Sequence, residues 1–384
     1  MRIGIDASRA FVENPTGTER YSYEVITRLL KLPEAKKHEW VLYTKLPIFN
    51  YQFLINSLKT KILKLKVKPI GLRYLWTQIG LAWRTWRDGL DVLWVPAHTL
   101  PLLRRGFGGL GRFLRTVVTI HGIEYEWLPA YENLLQRWYL PLSTQYAVKS
   151  ASRIIAVSKF TKRQLVERLG ADAGKMQVIY EGVNSQTLNP KSEILNKLKI
   201  QKHKYILFVG TIQPRKNLER LIRAYLALST KHPALKLVIA GKLGWNYEEV
   251  LEMARKHGVI VTGYIDEAER YSLLGNALVY VQPSITEGFG LPVLEAMGAG
   301  VPMVSSSGGA LKEIISIQYP MSDKILFDPF DVEDMIKKIR LVIEDKELRK
   351  EMIGWGLKMK FSWDKAARET YKILIQKSKI KSQK

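Results

Sequence analysis

The chain has 384 residues, of which 46% are hydrophobic and 25% are charged, with a formal net charge of +24 and no cysteine. This length and composition suit two globular domains, and the lack of cysteine excludes disulfide and thiolate chemistry. No apolar run reaches the roughly eighteen residues of a membrane-spanning helix, and the first strand-like run is too short for a signal peptide. We therefore expect a cytoplasmic protein.

The first half of the chain alternates strand-like and helix-like segments. Short apolar runs predict strands at residues 2–6, 40–44, 92–95, 116–120, 153–157 and 177–180. Apolar periodicity predicts helices at residues 19–31, 134–149 and 160–169, the last capped by Ser158. The turn-rich, non-periodic residues 181–190 predict a linker.

The second half repeats the alternation. Strands are predicted at residues 205–210, 237–241, 259–264, 278–282 and 302–306, with helices between them that include 218–228 and 292–299. Apolar strands bounded by glycine and separated by helices predict an α/β protein with two doubly wound, Rossmann-like parallel sheets. Ligands gather at the carboxyl ends of such strands, so we expect the site in a central cleft that the two domains face.

The positive charge is concentrated between Trp40 and Ile123, where thirteen Lys and Arg face only two acids, Asp88 and Asp91. Aromatic and aliphatic residues interleave with these cations in the runs 73–87 and 102–115. Such a mixture suits the interface of an anionic membrane. A solvated basic face and a nucleic-acid surface are the alternatives, although no nucleic-acid motif accompanies the charge. The basic residues 377–384 are expected to be a frayed tail.

Two histidines follow predicted strands in the first half. His121 follows the predicted strand 116–120 and stands just before Gly122, and His98 has a similar position after the predicted strand 92–95. A lone histidine is more often a hydrogen-bonded core residue than a catalytic one. The loop 14–21 after the first strand contains Gly17, a candidate for close approach to a ligand.

Adjacent cations follow the first strand of the second half. Arg215 can offer a forked donor to phosphate oxygens, and Lys216 a point charge. Two solvated loop cations are the alternative interpretation. Asn217 is predicted to cap the next helix.

The segment 283–302 places two carboxylates around a glycine-rich turn that opens a helix. Gly288 and Gly290 allow a tight turn, and Pro292 suits the first helical position. The uncapped N–H groups there predict an anion site, with Glu287 on the loop and Glu295 about one helical turn further on. A phosphorylated sugar offers both the anion and the hydroxyl groups that such a site requires.

This segment resembles the E-x7-E region of glycosyltransferase family 4, whose members are retaining, nucleotide-sugar-dependent enzymes with the GT-B fold. Residues 210–218 match the family's G-x-x-x-x-R-K-N pattern, and residues 362–371 resemble its closing helix. The resemblance implies an acceptor-side domain at residues 1–183, a nucleotide-sugar-binding domain at 191–361, and a closing helix with a tail at 362–384. Glu19 stands where a second glycine is common in the family's first loop, which Gly17 otherwise fits.

The resemblance also implies roles for individual residues. Catalytic roles are expected for Glu287, His121, Arg215 and Lys216, with His121 contacting the donor sugar. The donor's diphosphate is expected to contact Arg215, Lys216 and the amides of Phe289, Gly290 and Leu291, beside Gly288 and the Gly17 loop. Glu287 would hold the donor sugar and Glu295 the ribose hydroxyls.

The expected function is transfer of a hexose from a nucleoside diphosphate to a hydroxyl of a glycan or lipid-linked acceptor. We expect the enzyme to work at the inner face of the plasma membrane, with no cofactor, no metal and no nucleic acid. The sequence contains no Asp-x-Asp and no histidine pair at ligand spacing. The alternatives are a nucleotide-sugar epimerase or hydrolase on the same fold, and a non-enzymatic nucleic-acid binder.

Overall fold

The computed structural model describes residues 1–13, 15–45, 64–72, 75–106, 113–123, 134–184 and 193–376, without the side chains of 134–137. The described residues up to Gly182 and those from Trp363 onwards form one compact unit, here called the first unit. Val183 to Ser362 form the second unit. Most of the predicted linker, residues 46–63 of the basic stretch and the tail 377–384 lie outside the described residues.

In the first unit, the described strands form a parallel sheet in the order β3-β2-β1-β4-β5-β6-β7. The strands are β1 (Arg2–Asp6), β2 (Glu39–Lys45), β3 (Leu65–Ile70), β4 (Val92–Val95), β5 (Arg115–Ile120), β6 (Arg153–Ala156) and β7 (Met176–Val178). The helices are α1 (Gly17–Lys31), α2 (Ala82–Arg87), α3 (Leu134–Ser150), α4 (Lys159–Leu169) and, after the second unit, α14 (Trp363–Ile375). A π-helical segment, Trp76–Leu81, leads directly into α2.

The described strands of the second unit are also parallel, in the order β10-β9-β8-β11-β12-β13. They are β8 (Tyr205–Val209), β9 (Lys236–Ala240), β10 (Ile260–Val261), β11 (Val279–Gln282), β12 (Met303–Ser306) and β13 (Leu326–Phe327). The helices are α5 (Glu193–Lys197), α6 (Leu218–Ser229), α7 (Glu248–Lys256), α8 (Glu267–Asn276), α9 (Leu291–Gly298), α10 (Leu311–Gln318), α11 (Ser322–Ile325), α12 (Val332–Glu344) and α13 (Lys346–Leu357).

The predicted fold class is confirmed, because both sheets are parallel and reverse strand order at one switch point, as doubly wound sheets do. Strand β3 was not predicted. It is an edge strand with lysines at alternate positions, so its sequence suggests a basic segment more than a strand. Lys66 pairs with Glu39 at 2.8 Å, and Lys68 pairs with the buried Asp88. Lys66 therefore pairs across to strand β2, and Lys68 links β3 to the residue that follows α2.

Helix α14 completes the first unit. It packs against α1, and Tyr371 on it lies 3.0 Å, hydroxyl oxygen to Nε2, from His38. The buried Arg115 on β5 donates hydrogen bonds to the carbonyl oxygens of Leu374 and Gln376 at the end of α14. A cation is favourable at the negative end of a helix dipole, so Arg115 links the last turn of α14 to the sheet.

Candidate active site

Strands β8 and β11 are neighbours at the switch point of the second unit, so the loops after them start side by side. The loop after β8 begins at Gly210 and makes a short 3-10 turn, Pro214–Lys216. Gly241, after β9, has φ of 146°, and a Cβ atom there would lie 2.1 Å from the carbonyl oxygen of Gly210. Only glycine permits this close approach of the two loops.

Glu287 lies in the loop after β11 and binds both cations of the loop after β8. One of its carboxylate oxygens accepts a hydrogen bond from Arg215 Nη1 at 2.7 Å, and the other accepts from Lys216 Nζ. Glu287 and Lys216 are buried, whereas about a quarter of the Arg215 side chain is exposed, at 26%. The predicted residues Arg215, Lys216 and Glu287 are therefore brought together.

The same carboxylate is held by neutral donors from its own strand and loop. Its second oxygen also accepts from Ser284 Oγ at 2.7 Å and from Gln282 Nε2 at 3.0 Å. Tyr280, further back on β11, donates to Gln282 Oε1. These groups fix the orientation of Glu287, and sequence reasoning did not assign them a role.

The pKa of Glu287 is set by opposing effects. Burial raises it, but the charges of Arg215 and Lys216 and the hydrogen bonds to the carboxylate lower it to about 2. Glu287 is therefore ionised at neutral pH and is not a proton donor there. It holds two cations at the carboxyl end of the sheet, where they can neutralise an anionic ligand.

A second glycine-containing turn, after β12, supports the Glu287 loop. Ala310 N donates to the carbonyl oxygen of Glu287 at 2.8 Å. Gly309 has φ of 65°, and a Cβ atom there would lie 2.4 Å from the same oxygen, while one on Gly308 would lie 2.1 Å from Ile285 O. The adjacent glycines in the sequence are a turn signal that could have marked this contact.

The predicted glycine turn opens α9. Gly290 has φ of 107°, a conformation that favours glycine, and Leu291 is the first residue of the helix. Pro292 was predicted to be the first helical residue, but it is the second. Phe289 is buried, with its ring edge-on to Phe361 at 6.0 Å between centroids. The turn places the backbone of Gly288 to Leu291 directly after Glu287.

Glu295 is buried in α9 and has a different partner. Its Oε2 lies 3.4 Å from Nε of Arg270 on α8. Arg270 also stacks over Tyr271, with 5.4 Å from its guanidinium carbon to the ring centroid. The two glutamates of the E-x7-E segment thus bind separate cations, and the assignment of Glu295 to ribose hydroxyls stays a prediction.

The capping prediction for Asn217 is wrong. Asn217 occupies the position before α6, but its φ is 58° and its side chain makes no cap hydrogen bond. Its Nδ2 donates instead to Pro283 O at 3.0 Å and Pro329 O at 2.7 Å. The side chain links the two loops that carry the charged cluster to the turn before α12. Ser158 does cap its helix, accepting from Thr161 N at 3.0 Å.

In the first unit, His121 follows β5 and has both ring nitrogens engaged. Nε2 lies 2.9 Å from the carbonyl oxygen of Pro96, so Nε2 carries a proton. Nδ1 lies 3.0 Å from Oε1 of Glu181, a buried residue just after β7. That hydrogen bond needs one more proton, either on the ring or on the carboxyl group. Burial raises the pKa of Glu181, and His121 opposes the shift.

Two further side chains surround the imidazole. His98 Nε2 accepts from the backbone N–H of His121 at 3.4 Å, and the two rings are 5.8 Å apart. Burial, together with His121 and Arg9, lowers the pKa of His98 to about 3, so His98 is neutral. Tyr21 packs edge-on against His121 at 4.6 Å between ring centroids. Sequence reasoning missed Glu181, which it placed in the linker.

Gly17 is the first residue of α1, and Glu19 completes a capping box with Thr16. Thr16 N donates to Glu19 Oε2 at 3.2 Å, and Arg9 pairs with the other oxygen at 3.0 Å. Glu19, which stands where a second glycine is common in the family, therefore caps the N-terminus of α1. Asn14, where the predicted loop begins, lies outside the described residues.

The cluster in the second unit suits an anion with charge to neutralise, such as a diphosphate. Within the described ranges, no group of three or more His, Asp or Glu residues is arranged to hold a metal ion. Metal independence stays a prediction.

Two family models match this chain. The model for Glycosyltransferase Family 4 covers residues 15–187, and the model for Glycosyl transferases group 1 covers residues 190–359. The O-antigen chain mannosyltransferase B of Escherichia coli is 29% identical over 278 residues, which is 68% of this chain and 71% of that protein.

Solved structures support the same fold. Anabaena Alr3699/HepE in complex with UDP and glucose has a TM-score of 0.70 at 15% identity, covering 97% of this chain and 98% of that chain. WaaG, a glycosyltransferase involved in lipopolysaccharide biosynthesis, has a TM-score of 0.68 at 14% identity, covering 98% and 100%. At these identities the likeness establishes the GT-B fold alone. With two family models spanning nearly its whole length, the chain belongs to the family 4 glycosyltransferases.

Proposed function

We propose that this glycosyltransferase moves a hexose from a nucleoside diphosphate to a hydroxyl group, with retention at the anomeric carbon and without a metal ion. The charged cluster of Glu287, Arg215 and Lys216 carries the proposal, because it holds two cations where a diphosphate can bind. The named activity of the Escherichia coli relative favours mannose as the sugar. The UDP bound to Alr3699/HepE supports a nucleotide donor.

The leaving diphosphate gains negative charge as the bond to the sugar breaks. Arg215 can offer paired donors and Lys216 a point charge, and their positions are fixed in advance by Glu287. Donors that are already aimed at a developing charge need no reorganisation during the reaction. The acceptor's proton would pass to the leaving phosphate, since the sequence suggests no well-placed side-chain base. His121 would contact the donor sugar, as the family resemblance implies.

The alternative of an epimerase or hydrolase needs an acid/base group at the sugar carbon. Glu287 fits that role poorly, because two cations keep it ionised with a pKa of about 2. We therefore favour group transfer. The proposed acceptor is a glycan or a lipid-linked glycan at the inner face of the plasma membrane, in line with the O-antigen relative.

The test is incubation of the full chain with UDP- and GDP-hexoses that carry a labelled sugar, with a membrane lipid extract as acceptor. Transfer of label to lipid or glycan supports the proposal, and an epimerised or hydrolysed donor contradicts it. The Glu287→Gln variant should lower kcat by roughly 100-fold, because the two cations lose their anchoring charge. Glu347→Gln, at an exposed glutamate paired with Lys350, is the matched control and should leave kcat unchanged.

A further inference from the structure

Three segments of the first unit meet at one surface. Gln78, in the π-helical segment, accepts from Leu102 N at 2.8 Å through its Oε1 and contacts the Tyr139 hydroxyl at 3.2 Å through its Nε2. Trp86 Nε1 donates to the carbonyl oxygen of Leu103 at 2.9 Å. The segment 76–87, the loop 100–106 and the start of the described part of α3 are therefore contiguous.

Large apolar side chains project from this surface into solvent. Trp83, Leu103 and Trp138 are 63%, 61% and 71% exposed. Trp83 lies three residues from Trp86, so these two rings share one helix face. Together the exposed members define what we call the aromatic surface: Ile79, Trp83, Trp86, Leu103, Trp138 and Leu142. A contiguous group of this kind marks an interaction site, whereas single exposed apolar residues do not.

The charge in the three described segments that carry the aromatic surface is of one sign. The segments 75–87, 100–106 and 138–150 contain five Arg and Lys residues and no Asp or Glu. Of these cations, Arg87 and Lys149 are exposed, while Arg104 is buried and donates to Pro101 O at 3.1 Å. These three segments thus combine apolar side chains with exposed positive charge, and they contain no carboxylate that could attract a basic partner.

We propose that the aromatic surface is the site at which the protein docks on an anionic lipid bilayer. Tryptophan is favoured at the boundary between lipid and water, and neighbouring cations are attracted to lipid phosphates. Among the described residues, no helix is long and apolar enough to cross a membrane, so docking would be interfacial. This inference deepens the proposed function, since it places the acceptor in a membrane.

Other occupants fit the same observations less well. In a symmetric dimer the surface would face its own copy, and its cations would meet cations with no acid to offset them. Single-stranded nucleic acid would stack on the tryptophans, but Ile79, Leu103 and Leu142 offer nothing to a base and suit acyl chains. The lysines of β3 are poor candidates for the docking site, because Lys66 pairs with Glu39 on β2 and Lys68 pairs with Asp88, which follows α2.

The experiment measures binding to vesicles of phosphatidylglycerol and phosphatidylcholine, and to vesicles of phosphatidylcholine alone. The full-length Trp83→Ser/Trp138→Ser variant removes two exposed rings and leaves the core intact. The matched control is Tyr264→Ser/Leu357→Ser in the second unit, where the side chains are 52% and 61% exposed. We expect binding to the anionic vesicles that weakens with salt, falls at least about tenfold in the surface variant and is unchanged in the control.

Two results would overturn the docking site: wild type that does not bind anionic vesicles at low salt, and surface-variant binding equal to wild type. Light scattering provides a further test. A wild-type dimer that the surface variant converts to a monomer would assign the surface to self-association and reject the bilayer. Titration with UDP and GDP is run in parallel. If the surface variant loses vesicle binding but still binds nucleotide, the docking site is supported and the variant is folded. If the wild type binds neither nucleotide, the proposed function is contradicted, whatever the vesicles show.

Discussion

Both units hold a buried glutamate at the carboxyl edge of a parallel sheet, but the two carboxyl groups have opposite surroundings. Glu287 is bound by two cations, which overcome the effect of burial and lower its pKa to about 2. Glu181 has one imidazole, that of His121, as its hydrogen-bonding partner, and burial raises the pKa of Glu181. The comparison shows that cations and hydrogen-bond donors around a buried carboxylate can outweigh the effect of burial on its pKa, as they do at Glu287 and do not at Glu181.

The largest expected effect is on stability in acid. The lowered pKa of Glu287 contributes stability that is present above the ordinary value of 4.5 and is lost as pH falls towards 2. A difference of this size corresponds to about 3 kcal/mol. Denaturant unfolding of wild type and Glu287→Gln is measured between about pH 6 and about pH 2, a range that covers the folded and unfolded pKa values of Glu287. Both proteins should lose stability, because Glu39 also has a lowered pKa, and the loss should be steeper in wild type. An equal slope in both proteins would mean that the ion pairs contribute nothing.

The second prediction concerns the affinity of the proposed donor site, to which Arg215 of the charged cluster and Glu295 on α9 are both assigned. Arg215→Ala and Glu295→Ala should each weaken binding of the nucleoside diphosphate by about tenfold to a hundredfold. The first variant removes the partner of a phosphate group, and the second removes the expected partner of the ribose hydroxyls. Isothermal calorimetry with UDP and GDP measures this, with the exposed Lys350→Ala as the control. Unchanged affinity in both variants would show that the nucleoside diphosphate does not bind at Arg215 and Glu295, and Glu287 would then have no ligand-binding role to contrast with Glu181.

The third prediction tests the proton-sharing side. A raised pKa gives Glu181 a contribution to stability that is present below the ordinary glutamate value and is lost as pH rises through the raised value. Glu181→Gln keeps a hydrogen bond to His121 but cannot ionise, so the loss of stability with rising pH should disappear from its denaturant unfolding, at a cost of about 1 kcal/mol or less. His98, Tyr21 and Arg9 are unchanged in this variant. If Glu181→Gln instead removes an acid-side loss, as Glu287→Gln should, the two glutamates do not differ as described.

The sequence predicted well which residues follow the strands, and it predicted poorly which side chains they contact. Apolar runs located β8 and β11, and the rule for parallel sheets brought Arg215, Lys216 and Glu287 together. The partner of Glu295 is Arg270 on α8, and no local pattern reveals a contact that depends on helix packing. Similarly, the sequence did not reveal the contact of Glu181 with His121, because Glu181 begins a turn-rich segment that was predicted to be a linker. In the structure it follows β7, in the same sheet as the strand that precedes His121.

The smallest expected effect is that of removing divalent metal, which should leave the rate of transfer unchanged. The developing charge on the diphosphate can be neutralised by Arg215 and Lys216, and Glu287 already uses both of its oxygens on these cations. A metal ion would therefore have to displace an ion pair to reach that carboxylate. Initial rates with and without EDTA, with a metal-dependent transferase treated in parallel, measure the effect. Loss of activity in EDTA that Mg²⁺ or Mn²⁺ restores would show that two fixed cations are insufficient for the leaving group.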